Sequence, residues 1–131
     1  MNLSGQTTVI RVIDDDDHYL AAVSRLLRAV GYAVRSYSSA EDYLRAEEDA
    51  APGCILLDMH MPEMSGPQLL RVLARGKNIL PIILVTASSE AWDAARVTEA
   101  GAFSFVAKMS DRSHLIEAID AAIAANRGPG T

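Results

Sequence analysis

Asp14-Asp15, Asp58, Thr86 and Lys108 are the residues of this chain best suited to chemistry, and each stands where a short apolar run stops. Three carboxylates brought together repel one another, and leaving all of them ionised without a partner is costly at neutral pH. A divalent cation relieves that conflict. Magnesium fits such a set, because it is a hard ion that prefers octahedral oxygen ligands, keeps several waters and accepts one or two carboxylates plus a phosphate oxygen. His18, His60 and His114 are scattered and Cys54 is alone, so nothing in the spacing suggests zinc. With a metal present, one carboxylate can act as the nucleophile toward a phosphoryl group. A lysine ammonium then helps to offset charge on the transferring oxygens.

For residues so far apart in sequence to meet, the elements between them must bring them to one edge. Val9-Ile10-Arg11-Val12-Ile13 reads as a buried strand that stops at four aspartates, Asp14 to Asp17. From Tyr19 to Val30, Leu20, Val23, Leu26, Leu27 and Val30 recur at helical spacing, and Gly31 follows as a C-cap. Tyr32 to Tyr37 predicts a second strand. Ser39 with Asp42 forms a variant capping box, opening a helix that ends near Ala50, before Pro52. Cys54 to Leu57 predicts a third strand ending at Asp58, and the loop from Met61 to Gly66 leads into a helix bearing Leu69, Leu70, Val72 and Leu73. Pro81 to Val85 predicts a fourth strand ending at Thr86. Ser88 and Ser89 then cap a helix from about Glu90 to Ala100, closed by Gly101. Ala102 to Val106 predicts a fifth strand ending near Lys108, and Leu115, Ile116, Ile119 and Ile123 line a last helix.

Five strands alternating with five helices predict right-handed crossovers and a doubly wound α/β fold, its parallel sheet covered on both faces. In such sheets ligands bind beyond the carboxyl ends of the strands, where the polar residues stand here. The 131 residues suit one domain around a single core, and half of them are hydrophobic. Twelve Lys and Arg against 17 Asp and Glu give a net charge of -5 with no basic stripe, which argues against direct nucleic-acid binding. No apolar run is long enough to cross a bilayer, and the start lacks the pattern of a signal peptide, so the expected location is cytoplasmic. Cys54, between apolar neighbours, reads as a small core residue.

Val12-Ile13-Asp14-Asp15-Asp16, the stretch from Leu57 through Asp58, Pro62 and Gly66, Val85-Thr86-Ala87 and Phe105-Val106-Ala107-Lys108 occur in order. Together they resemble the receiver domains of bacterial two-component response regulators, over Val9 to about Asn126. Their local spacing most resembles receivers that precede LuxR-type helix-turn-helix output domains. The resemblance implies a flavodoxin-like or CheY-like sheet of strand order 2-1-3-4-5. It implies that Asp58 is the phosphoacceptor, that Asp15 and Asp58 bind Mg2+ with Asp14 assisting through a water, and that the His60 backbone carbonyl is a further ligand. Thr86 and Lys108 would contact the phosphoryl oxygens, while Phe105 would turn inward as the switch aromatic.

The same resemblance implies a sensor histidine kinase as phosphodonor and a signalling switch that catalyses only its own phosphorylation and dephosphorylation. Modification would act on a surface built from the fourth helix, fifth strand and fifth helix, through which a homodimer would also form. An output domain or effector beyond the C-terminus would control transcription. Residues 1–8 read as a tail, 9–126 as the receiver and 127–131, Arg-Gly-Pro-Gly-Thr, as a linker-like end. Receivers usually carry proline after the site lysine; this chain has Met109, for which a cis peptide costs several kcal/mol.

Two other functions stay open from sequence. One is a phosphorylation-independent interaction module of receiver-like fold. The other is an aspartate-nucleophile phosphohydrolase of the haloacid dehalogenase type, whose Asp-x-Asp-x-Thr motif is unlike Asp58-Met59-His60-Met61-Pro62. Asp16 and Asp17 read as solvated residues at a helix start. His60 is placed to influence the access of water to a group on Asp58. Trp92 reads equally as a partner anchor or as packing.

Overall fold

β-branched and leucine-rich runs build a five-stranded sheet, and the amphipathic stretches between them become helices that cover it. The computed structural model describes residues 8–46, 51–61, 64–76, 80–87, 99 and 101–127. Along the chain run β1 (Val9–Ile13), α1 (Asp17–Val30), β2 (Ala33–Tyr37), α2 (Ala40–Arg45), β3 (Gly53–Asp58), α3 (Gly66–Arg75), β4 (Ile82–Thr86), β5 (Ser104–Ala107) and α4 (Arg112–Arg127). All strand pairs are parallel, and the order is β2-β1-β3-β4-β5, as expected. Among the described residues there are four helices. The helix expected from about Glu90 to Ala100, with Ser88, Ser89 and Trp92, lies outside them apart from Glu99, as do Pro62, Glu63 and most of both tails.

β1, β3 and β4 are buried along their whole length, which is why they read as unbroken apolar runs. Their side chains divide the core in two by the two-residue period of a strand. Ile10, Val12, Cys54, Leu56, Ile83, Val85 and Val106 face Leu20, Val23 and Leu27 of α1 and Leu115, Ile119 and Ile123 of α4. Ile13, Ile55, Leu57, Ile82 and Leu84 face Tyr43 of α2 and Leu69 and Leu70 of α3.

Helix ends depart from the sequence reading where a side chain captures the backbone. α1 starts at Asp17, two residues before the expected Tyr19, because Asp16 Oδ1 accepts the N–H groups of His18 (3.0 Å) and Tyr19 (3.2 Å) as N-cap. Its far end behaves as expected: Gly31 takes a left-handed φ of 114° and returns its N–H to the Leu27 and Arg28 carbonyls. At α2, the Ser39 hydroxyl caps Asp42 N–H at 3.0 Å, but the Asp42 carboxylate accepts from Ser38 Oγ at 3.2 Å. α2 ends at Arg45, short of the expected Ala50; residues 47–50 lie outside the described ones. At α3, Ser65 and Gln68 complete a reciprocal capping box that fixes how the chain leaves the loop after Asp58.

Candidate functional site

Sheet register alone brings the polar strand ends together. Ile13 pairs with Leu57, so the next residues, Asp14 and Asp58, stand side by side at the carboxyl edge. Asp58 pairs with Val85, which puts Thr86 one step beyond it, and Thr86 pairs with Ala107, which puts Lys108 one step further. The backbone seals this edge: Met59 N–H donates to the Val85 carbonyl (3.0 Å) and Lys108 N–H to the Thr86 carbonyl (2.8 Å). Gly66 is required just behind it. A Cβ there would collide with the Asp58 carbonyl oxygen and Met59 Cα, so only glycine lets the loop fold back against the strand end.

One oxygen each from Asp14, Asp15 and Asp58 lies within 4.8 Å of the others, an all-carboxylate group able to hold a cation. Asp14 and Asp58 are 1% and 3% exposed, whereas Asp15 faces solvent. Asp14 Oδ1 accepts the Asp16 N–H at 2.9 Å, and Asp58 Oδ1 accepts the His60 N–H at 3.3 Å. Lys108 Nζ approaches Asp14 Oδ2 to 2.8 Å and Asp58 Oδ1 to 3.9 Å. The Asp14 contact is one of charge: Oδ2 is buried and receives no hydrogen bond of good geometry, and it keeps capacity for another electropositive partner. Burial, then the negative charge of Asp14, pushes the Asp58 carboxyl up to about 6, against the opposing pull of Lys108. Burial works against the Lys108 ammonium, but its contact with Asp14 outweighs that and holds it above the usual lysine value. Such a set, all oxygen, short of positive charge and with two of its three carboxylates buried, fits a hard divalent ion such as magnesium.

The structure thus brings Asp14, Asp15, Asp58, Thr86 and Lys108 to one edge. Thr86 is buried there. His60 follows two residues after Asp58, its side chain exposed. Phe105 lies on edge strand β5 with its ring partly exposed rather than turned into the core. The Lys108–Met109 peptide is trans, as expected without proline, and Met109 is 90% exposed. Sequence reasoning missed Tyr19, read only as the start of a helix, whose ring lies 4.7 Å from Lys108 Nζ. Its position one helical turn after the aspartate pair was the available signal. Burial, followed by Asp14 and Asp58, pushes its phenol up to about 12.

A site of this form at the carboxyl edge of a 2-1-3-4-5 sheet has known counterparts. Residues 10–120 match the family model described as the response regulator receiver domain. The chain belongs to that family. Receivers of this kind are signalling switches rather than enzymes that turn over a separate substrate. The receiver is 36% identical over 122 residues to the response regulator protein TmoT of Ectopseudomonas mendocina, covering 93% of this chain and 56% of that protein. It is 33% identical over 113 residues to the transcriptional regulatory protein FixJ of Rhizobium meliloti, covering 86% of this chain and 55% of that one. It therefore spans just over half the length of these relatives. Among solved structures, the crystal structure of FixJ-N superposes with a TM-score of 0.82 at 32% identity, covering 91% of this chain and 95% of that one. Among the described residues no helix is long and apolar enough to cross a membrane.

Proposed function

We propose that this receiver accepts a phosphoryl group on Asp58 from a phosphohistidine of a sensor histidine kinase, in a Mg2+-dependent reaction. The observation that carries the reading is the meeting of three carboxylates and one ammonium at the sheet edge, with their oxygens within 4.8 Å and Lys108 on the same spot. Asp14, Asp15, Asp58 and the backbone carbonyl of His60 would hold the ion, Asp14 through a water. When bound, the ion neutralises the carboxylates and the phosphoryl oxygens, so that Asp58 can approach a negatively charged donor.

The chain's own groups do the rest. A carboxylate oxygen of Asp58 forms the bond to phosphorus as the P–N bond to the donor imidazole breaks, and the imidazole nitrogen keeps the electron pair. His60 N–H, already on Asp58 Oδ1, holds the carboxylate in place through this step. The Lys108 ammonium and the Thr86 hydroxyl then donate hydrogen bonds to the phosphoryl oxygens. Drawing Thr86 toward the phosphoryl group opens space that Phe105 fills by turning inward, which alters the face formed by β5 and α4.

That face would control an output, and transcription is the output we favour. The regulatory names of the relatives, of which this chain spans just over half the length, support an output domain in the whole protein. The local motif spacing favours one of the LuxR helix-turn-helix type. In this reading the receiver proper spans residues 9–126 between short tails, works in the cytoplasm, and uses the same face for a homodimer.

Incubation with magnesium and acetyl phosphate, followed by intact mass, tests the reading. One phosphoryl adduct on the wild type, released by hydroxylamine and absent from Asp58→Asn, is expected. An unmodified wild type would leave a phosphorylation-independent interaction module as the function.

A further inference from the structure

Lys108 reaches the acidic site from the turn after β5, its side chain only 14% exposed. Its backbone N–H is fixed on Thr86, but Met109 projects into solvent. The turn closes on itself, with the N–H and the hydroxyl of Ser110 both donating to the Ala107 carbonyl at 3.1 and 2.7 Å. A lysine on such a turn has much rotamer freedom to lose. Asp14 and Asp58 attract the ammonium, but Coulomb attraction sets little direction for a flexible four-carbon arm.

Direction is available from α1. The Tyr19 ring centroid lies 4.7 Å from Lys108 Nζ, inside the cation–π range of about 6 Å. Both side chains line the same cleft of about 470 Å³ between α1 and the start of α4. Tyr19 is itself held: its N–H donates to Asp16 Oδ1, Asp16 N–H donates to Asp14 Oδ1, and its half-buried ring packs against the core beneath. The aspartate run that lines the site thus also sets how α1 leaves it, and so aims the ring at Lys108.

The geometry points to Tyr19 as a positioning residue, whose ring face holds the Lys108 ammonium beside Asp14 and Asp58, directed at the oxygens of an incoming phosphoryl group. This inference rests on the phosphoacceptor reading above. It does not require the tyrosine hydroxyl, only the aromatic face, and Phe should therefore replace Tyr where an aliphatic residue cannot.

The test compares wild type, Tyr19→Phe and Tyr19→Leu, each with and without Lys108→Ala, using magnesium and acetyl phosphate. Tyr19→Leu should accept phosphate roughly fivefold more slowly, the size of a partly desolvated cation–π contact. Tyr19→Phe should stay close to wild type, and Tyr19→Leu should add nothing in the Lys108→Ala background. Independently of phosphorylation, the Lys108 ε-methylene protons in chelator-treated protein should be shifted upfield by the ring in wild type and Tyr19→Phe, and not in Tyr19→Leu. Should Leu impair folding, Tyr19→Met provides the same comparison. Equal slowing by Phe and Leu, an undiminished effect of Leu without Lys108, or an unshifted Lys108 methylene in the wild type would each overturn the assignment. If the wild type takes no phosphate, the functional reading fails, while the methylene shifts still decide whether the ring holds Lys108.

Discussion

Lys108 leans on Asp14 more closely than on Asp58: its Nζ lies 2.8 Å from Asp14 Oδ2 and 3.9 Å from Asp58 Oδ1. An ammonium so placed competes for the carboxylate that a divalent ion would also use, since two cations in one small site repel. It also leaves Asp58, the group we assign as nucleophile, with the weaker of the two contacts.

Removing that ammonium should separate metal binding from phosphate acceptance. Lys108→Ala is expected to bind Mg2+ severalfold more tightly than wild type and to accept phosphate from acetyl phosphate at least about tenfold more slowly. Calorimetric titration and intact-mass time courses measure the two quantities. A loss of both together would mean that Lys108 supports the acidic site instead of competing with a metal for it.

Magnesium should stabilise the folded chain through the same carboxylates. At a hundredfold excess over its Kd, a ligand that binds only the native state adds roughly 2.7 kcal/mol, which raises the unfolding temperature of a domain this size by about 10 °C. Asp14→Asn and Asp15→Asn should each lose most of that gain in thermal unfolding with and without the ion. A gain unchanged in both variants would place the metal elsewhere.

Gly66 gives the site a steric requirement. Gly66→Ala forces a Cβ against the Asp58 carbonyl oxygen and Met59 Cα, so the loop or the strand end must shift. The expected cost is about 1–3 kcal/mol of stability, as for other overpacked sites, with slower phosphate uptake because the displaced atoms belong to Asp58. Urea unfolding checks the first part. A variant as stable as wild type would show that the backbone yields there without penalty.

Cys54 supplies a pH prediction away from the acidic site. Burial pushes its thiol up to about 12; nearby Arg11 opposes this and Asp120 adds to it. A thiol whose folded value is raised favours folding below its unfolded value, near 9, and that contribution is lost as pH climbs from there toward 12. Accordingly, alkylation of native protein at pH 8 should proceed only at the rate of unfolding, and part of the alkaline loss of stability should disappear in Cys54→Ala. Rapid alkylation of the folded chain would contradict the buried placement.

Much of this was legible because strand ends carry their chemistry in sequence. Asp14, Asp58, Thr86 and Lys108 each follow an apolar run, and a parallel sheet leaves one edge for them to share. Long-range side-chain choices were less visible. Arg11 sits in a run that reads as plain strand, yet the residue is 1% exposed and its guanidinium donates to the Val9 and Ala51 carbonyls at 3.0 Å each. Nothing in the local pattern distinguishes a buried arginine with distant carbonyl partners from one that snorkels to solvent. Asp16 was legible as a residue at a helix start but not as the N-cap, since four consecutive aspartates offer equal candidates. The partnership of Tyr19 with Lys108 crosses 89 positions of sequence and needs the register of the whole sheet to be seen.

Phosphate should go to Asp58 and to no other acid in the cluster. Protein treated with magnesium and acetyl phosphate can be reduced with borohydride, which converts an aspartyl phosphate to homoserine, and then digested and sequenced by tandem mass spectrometry. Homoserine is expected at position 58 alone, dependent on magnesium. Homoserine at position 14 or 15, or none at 58 in protein that carries the adduct, would contradict it.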